Sequence, residues 1–277
     1  MDLSTIANFF DRLLCRRNAG ITRASAAFLL LVGLFLALPS RAQQVAQSCD
    51  ETTLEAVGTF LHVDNFQQAD YQNRTNAVVA ASCKAWPVDA KIMLVAAAYM
   101  LPSDPNRTDD QPDLHFVIAM VDTSRWVVVR SFKGTVVQDA TLQIRGHDDF
   151  HLDTARYDLA PGVRAFGVVF AGGIAPRAAE GWEDEYLALF VPDGPKLRQV
   201  FMVPLEQTQG NDTFESTIGV EKTRSHGFAD LSITARSALG GKGGAGSRTV
   251  IHYDGRWYGG SNGNSQSERG GIFDNTQ

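Results

Sequence analysis

Cysteine is scarce in this 277-residue chain: Cys15, Cys49 and Cys83 are the only three. None forms a C-x-x-C pair, which removes zinc ribbons and thiol-redox motifs from consideration. Runs of Lys and Arg are missing too. With a formal net charge of −6, nucleic acid is not an expected partner. The longest apolar run, Ala26 to Pro39, is 14 residues. As a helix rising about 1.5 Å per residue it covers roughly 21 Å, short of the roughly 30 Å hydrocarbon core, which argues against a permanent span.

That run instead has the setting of an export signal. Arg16, Arg17 and Arg23 precede it, and Ser40-Arg41-Ala42 follows with small residues two apart, the A-x-A-like cleavage pattern. The expectation is a signal peptide over residues 1–42 and a periplasmic or secreted product starting at Gln43, with no stable membrane span after cleavage. Its first 42 residues carry five basic and two acidic groups, so the remainder holds 20 Lys plus Arg against 29 Asp plus Glu. Cys15 leaves with the signal. Cys49 and Cys83 stay behind as an even pair in an oxidising compartment, and one disulfide is expected between them.

Residues 43–88 read as an N-terminal helical segment. From Thr52 to Val63 the apolar residues Leu54, Val57, Phe60 and Leu61 recur at helical spacing, with Asp50 or Thr52 placed to cap. A second helix is expected from about Arg74 to Lys84, making an antiparallel helical hairpin whose far ends the disulfide would join. After Pro87 the period changes. Lys91–Met100, Leu114–Val121, Arg125–Phe132, Val163–Phe170, Tyr186–Val191, Leu197–Val203, Ala229–Ala235 and Thr249–Tyr253 read as strands. Asp122-Thr123-Ser124, Pro161-Gly162, Pro192-Asp193-Gly194-Pro195 and Asp254-Gly255 are turn signals between strands. No helical patterns intervene, so residues 89–258 are expected to form antiparallel sheets, a sandwich or an incomplete propeller-like assembly. The Gly-, Ser- and Asn-rich stretch 259–277 reads as a disordered tail.

Several phrases resemble a family of uncharacterised exported proteins from proteobacteria. They are Cys83-Lys-Ala-Trp-Pro87, the stretch from Leu152 to Gly167, Leu189-Phe-Val-Pro192, Gly227-Phe-Ala-Asp-Leu231 and Tyr253-Asp-Gly255. The last two also resemble degenerate integrin-type FG-GAP repeats, which implies blades of a β-propeller. Such repeats carry a calcium loop of acids before the Asp-Leu pair. Here Thr223-Arg-Ser-His-Gly227 occupies that place without them. No activity comes with either resemblance.

Motifs that name a chemistry fail on context. Gly241 to Gly246 fits G-x-G-x-x-G but leads into a strand pattern rather than a helix. Gly259 to Gly263 fits G-x-S-x-G but lies in the polar tail. The stretch His147-Asp-Asp-Phe-His-Leu-Asp153 is more suggestive. On a strand His147, Asp149, His151 and Asp153 share one face, with neighbours about 6–7 Å apart, so one His–Asp pair suits zinc if a further ligand comes from elsewhere. The alternative is the wet face of an edge strand, with Phe150 and Leu152 inward. Asp104, Asp109, Asp110 and Asp113 cluster in a proline-containing loop that offers carboxylates to calcium, though without the EF-hand order, and otherwise reads as a solvated loop. Among the aromatics that could stack on a ligand, Trp126, Trp182, Trp257 and Tyr258, Trp182 stands out because its acidic surroundings (Glu180-Gly-Trp-Glu-Asp-Glu185) read as a loop.

The expected function is therefore that of an exported, non-enzymatic β-rich binding or scaffold protein of the bacterial cell envelope, with an envelope protein or small ligand as partner. An inhibitor or immunity protein for an envelope hydrolase or toxin is the first alternative. A metal-dependent hydrolase using His147, Asp149 and His151 is the second.

Overall fold

The computed structural model of the chain describes residues 48–68, 77–101, 114–136, 150–171, 181–209, 212–237, 246–259 and 273–274. All belong to the compact unit Ala46–Gln277. They form one helix, α1 (Glu51–Leu61), and a mainly antiparallel sheet. Its strands are β1 (Val78–Ala85), β2 (Ile92–Met100), β3 (Leu114–Asp122), β4 (Val127–Val136), β5 (Phe150–Ala160) and β6 (Val163–Ala171). They continue with β7 (Gly181–Asp193), β8 (Lys196–Gln209), β9 (Asp212–Ser225), β10 (Phe228–Ser237), β11 (Ser247–Ile251) and β12 (Phe273–Asp274). None of the described helices is long and apolar enough to cross a membrane.

β1 to β4 make one antiparallel meander and β5 to β8 another, joined where β4 and β8 run parallel and pair at Ser131 and Lys196. β9, β10 and β11 continue outward from β8. At the far ends β5 lies against β1 and β2, but no ladder links them among the described residues, so the sheet folds over without closing into a barrel.

The alternation of side chains along β3 explains why it folds over. Phe116, Ile118 and Met120 point to one face and Val117, Ala119 and Val121 to the other, and all six are buried. A strand apolar on both faces needs a layer on each side. On the inner face the two meanders meet edge-to-face through Phe116 and Phe170, Phe132 and Phe190, and Trp86 and Phe166, with ring centroids 5.7, 5.2 and 5.6 Å apart. Each fully buried side chain of this size contributes about 1.5–3 kcal/mol. The outer face of β1 to β3 is covered by Leu54 and Val57 of α1 together with Phe66. The outer face of β5 to β8 packs Leu159, Leu187, Leu189 and Phe201 against Leu231, Tyr253 and Tyr258 of the β9–β11 layer.

α1 starts where its cap dictates: the Asp50 carboxylate accepts the Thr53 N–H at 2.7 Å, and the helix ends at His62 in the left-handed region. The disulfide joins Cys49, just before that cap, to Cys83 on β1.

Three expectations change. The second half of the helical hairpin is strand β1, so the β domain begins at Val78 rather than at residue 89. Its run Val-Val-Ala-Ala-Ser-Cys is buried on both faces, and a short continuous apolar run cannot be told from a helix by its period. β9 went unread because polar and charged residues fill most of it, although Phe214, Ile218 and Val220 keep the alternation. The tail read as disordered supplies β12, whose Phe273 and Asp274 pair with Val136 and Thr135 of β4.

The bridge closes a segment with a sequence separation of 34. Replacing Cys49 and Cys83 together by serine is expected to lower the unfolding free energy by about 3 kcal/mol in denaturant titration. A loss below about 0.5 kcal/mol would mean that packing alone holds α1 on the sheet.

Candidate functional site

Because consecutive strands alternate in direction, the five described hairpin turns emerge at one end of the sheet: Pro87–Lys91, Thr123–Trp126, Pro161–Gly162, Gly194–Pro195 and His226–Gly227. Hydrogen bonds tie several of them together. The Thr123 N–H and hydroxyl donate to the Lys91 carbonyl at 2.8 and 3.0 Å, coupling the first two turns. Arg130 Nε donates to the Gly194 carbonyl at 2.9 Å. Arg198 donates to Asp193 at 3.0 Å, and to the Tyr253 hydroxyl and the Arg256 carbonyl at 2.9 Å each, which fastens the Asp254–Trp257 turn to the same end. Asp254 shapes that turn by accepting the N–H groups of Arg256 and Trp257 at 2.8 and 2.7 Å, and these bonds hold its carboxyl below the ordinary range.

Two non-glycine residues of these turns take positive φ, His226 at 48° and Trp126 at 56°, and Trp126 is the bulkier of the two. The Asp122–Val127 pairing of β3 and β4 leaves four residues to turn the chain, Thr123 to Trp126. The Asp122 carbonyl accepts the N–H of Arg125 at 3.2 Å and of Trp126 at 2.7 Å, and this closure puts Trp126 at φ 56°. Glycine or asparagine suits that left-handed position, and a side chain such as Trp costs roughly 1–2 kcal/mol there. The indole is only partly covered in return. Trp126 is 41 % exposed, next to Val127 at 42 %, and Val88 in the hydrogen-bonded neighbouring turn is 61 % exposed.

The turn beneath the indole is braced by side-chain hydrogen bonds. Asp122 accepts from the Ser124 hydroxyl at 2.6 Å, the Ser124 N–H at 2.9 Å and Arg125 Nε at 2.9 Å. The Ser124 hydroxyl and the Arg125 guanidinium bring its carboxyl down to about 2. An aromatic ring fixed on a well-braced tip and left in solvent suits insertion into another surface or stacking on it.

The residues singled out in the sequence are dispersed. His147, Asp149, Asp104, Asp109, Asp110 and Asp113 lie outside the described residues. His151 is half-buried on β5, and burial pushes its imidazole down, Asp153 opposing and Lys84 adding to the shift. Asp153 uses its oxygens on its own strand, accepting the Ala155 N–H at 2.8 Å and the Tyr157 hydroxyl at 2.7 Å. No group of three or more metal-ligating side chains forms among the described residues. Trp182 sits in strand β7 opposite Thr208, not in a loop, because the acidic segment is the end of a long β7–β8 ribbon. Trp257 and Tyr258 pack against the core, the latter donating its hydroxyl to the Ala229 carbonyl at 2.6 Å.

Two polar clusters had no sequence signature. Ser225, His252 and Asp230 converge, with Ser225 Oγ and Asp230 Oδ1 at 3.3 and 3.2 Å from the same ring nitrogen, Nδ1. A nucleophile relay needs the serine and the carboxylate on opposite nitrogens, so this trio works as a latch between β9, β10 and the chain after β11. Asp230 is only 2 % exposed. Burial pushes its carboxyl up, but hydrogen bonds from Thr223 and Ser225 and the His252 ring outweigh it, and the net direction is down. In the second cluster, Glu185 stands opposite Glu206 across β7 and β8. Burial, and then the Glu206 charge, raise the Glu185 carboxyl above its ordinary value.

Both features make predictions. Trp126→Asn is expected to leave the unfolding free energy unchanged or raise it by up to about 1 kcal/mol. A loss above about 1 kcal/mol in denaturant titration would assign the indole a packing role. For Glu185, a raised carboxyl means that the folded chain keeps a proton the unfolded chain has released. The pair therefore weakens the fold at neutral pH, and the weakening fades as pH falls to the unfolded value of about 4.3. Glu185→Gln should raise the thermal midpoint near pH 7 and leave it unchanged near pH 3, below about 4.3. An equal gain at both pH values would contradict this assignment.

Compared with protein-family models, curated proteins and solved structures, the chain matches none.

Proposed function

We propose that this chain is an exported, non-enzymatic binding or scaffold protein of the bacterial cell envelope, which engages its partner through the hairpin-turn end with Trp126 as anchor. The observation that carries this reading is the exposed indole at a backbone position where Trp opposes folding. Residues kept against stability and presented to solvent on a braced turn are accounted for by recognition. The export part rests on the charged, apolar and small-residue succession over residues 1–42. The disulfide fits that route, since such bridges persist in oxidising compartments.

A comparison in the producing cell tests the reading. The tagged full chain and its Trp126→Asn variant are expressed, cross-linked in the envelope, captured and compared by mass spectrometry. At least one envelope protein should be recovered with the wild type and be depleted about tenfold or more with the variant, the scale of losing a central aromatic anchor. Equal recovery of every protein by the two forms would refute the reading.

A further inference from the structure

Charge at the hairpin-turn end is arranged unlike charge in the chain as a whole. The chain carries a net −6, yet the four turns linked around Trp126 and the side chains that brace them hold six cations, Lys91, Arg125, Arg130, Lys196, Arg198 and Arg256, and four acids, Asp89, Asp122, Asp193 and Asp254. Asp122 and Asp193 are neutralised in ion pairs, whereas Asp89 and Asp254 accept backbone N–H groups and keep their charge, so six cations against four acids leave a net +2. Asp89 accepts the Lys91 N–H at 3.0 Å, and Asp122 takes Ser124 and Arg125. Asp193 pairs with Arg198 at 3.0 Å, and Asp254 caps the N–H groups of Arg256 and Trp257. Of the six cations, Arg125 and Arg198 are in those ion pairs. Lys91, Lys196 and Arg256 are exposed and take no ion pair among the described residues.

Placement puts these charges on turns at the same end of the sheet as the indole. Lys91 lies on the turn bonded to Thr123, three residues before Trp126. Lys196 pairs with Ser131, four residues into β4, which at about 3.3 Å per residue is roughly 13 Å from the tip. Arg256 is held to the same end by Arg198. The exposed Trp126, Val127 and Val88 thus share an end of the sheet at which these turns carry a net positive charge.

We infer that the hairpin-turn end docks an acidic protein surface, with Trp126 inserting and Lys91, Lys196 and Arg256 facing carboxylates around it. The inference rests on the binding role proposed above and names its partner's chemistry. Opposite charge at such a rim steers encounter and selects against basic partners. The acidic remainder of this chain repels the same partner and so favours docking at this end.

Poly-L-glutamate is the probe, with poly-L-lysine as control, followed by backbone and indole NMR on the full chain. Poly-L-glutamate should shift the Trp126 indole and the amides of Lys91, Lys196 and Arg256. Raising the salt from about 0.05 to about 0.5 M should weaken the association about tenfold or more, because exposed charges are then screened within a few ångströms. The combined Lys91→Gln, Lys196→Gln and Arg256→Gln variant should weaken it to a similar degree while keeping the wild-type spectrum elsewhere. Shifts scattered over other faces, equal binding of poly-L-lysine, or an unaffected charge-neutral variant would each overturn the inference. If envelope capture depends on Trp126 while poly-L-glutamate ignores this end, the binding role stands and the acidic partner falls. The converse result sinks the envelope role and leaves the electrostatic assignment in place.

Discussion

The aromatic seam between the two meanders is the constraint on which the rest depends. Phe116, Phe132 and Trp86 from one half meet Phe170, Phe190 and Phe166 from the other, in edge-to-face contacts that favour one relative placement over sliding. Both halves also need cover on their outer faces, and the two covers differ. α1 is stapled over the first half by a covalent bridge, while β9 to β11 continue the second half's own ladder. The hairpin turns share an end because strands alternate in direction and β4 pairs parallel with β8, while the seam fixes how the two halves face each other.

Polar groups at that end are used mainly to brace turns. Arg198 alone links a β7–β8 turn carboxylate, a tyrosine hydroxyl and a backbone carbonyl. Asp122 and Asp254 each fold their own turn around a depressed carboxyl. The Asp122 bonds fix the course of the turn that carries Trp126. The indole is therefore held by its surroundings in a conformation that its own side chain disfavours. Chemistry-bearing groups elsewhere are absorbed into structure instead: Ser225, His252 and Asp230 latch strands, and Asp153 ties down Tyr157.

Much of the fold was legible from the residues. β2 and β3 stood out because both are continuous apolar runs ended by turn residues, and the cysteine pair followed from parity. α1 was readable from the spacing of Leu54, Val57 and Leu61 and from Asp50 before them. β1 was not, since small apolar residues buried on both faces carry no period that separates helix from strand. β9 was hidden by its polar content, which reflects a half-solvated outer layer. The site was less visible. Trp182 attracted attention through acidic neighbours that belong to a strand, whereas Trp126 looked like an ordinary strand aromatic. What distinguishes Trp126 is the Asp122–Val127 register, which leaves four residues to close the turn and forces its last one to positive φ. Register is a tertiary property, set by the packing of β3 on its neighbours, and the Asp-Thr-Ser turn signal carries only part of it.

Hydrogen exchange on the full chain, with and without envelope extract from the producing cell, tests most directly whether the hairpin-turn end is the recognition face. The account predicts new protection at the turns holding Val88 and Trp126, with the strand interiors unchanged because their ladders are already closed. Protection confined to the opposite end of the sheet, or to α1, would contradict it.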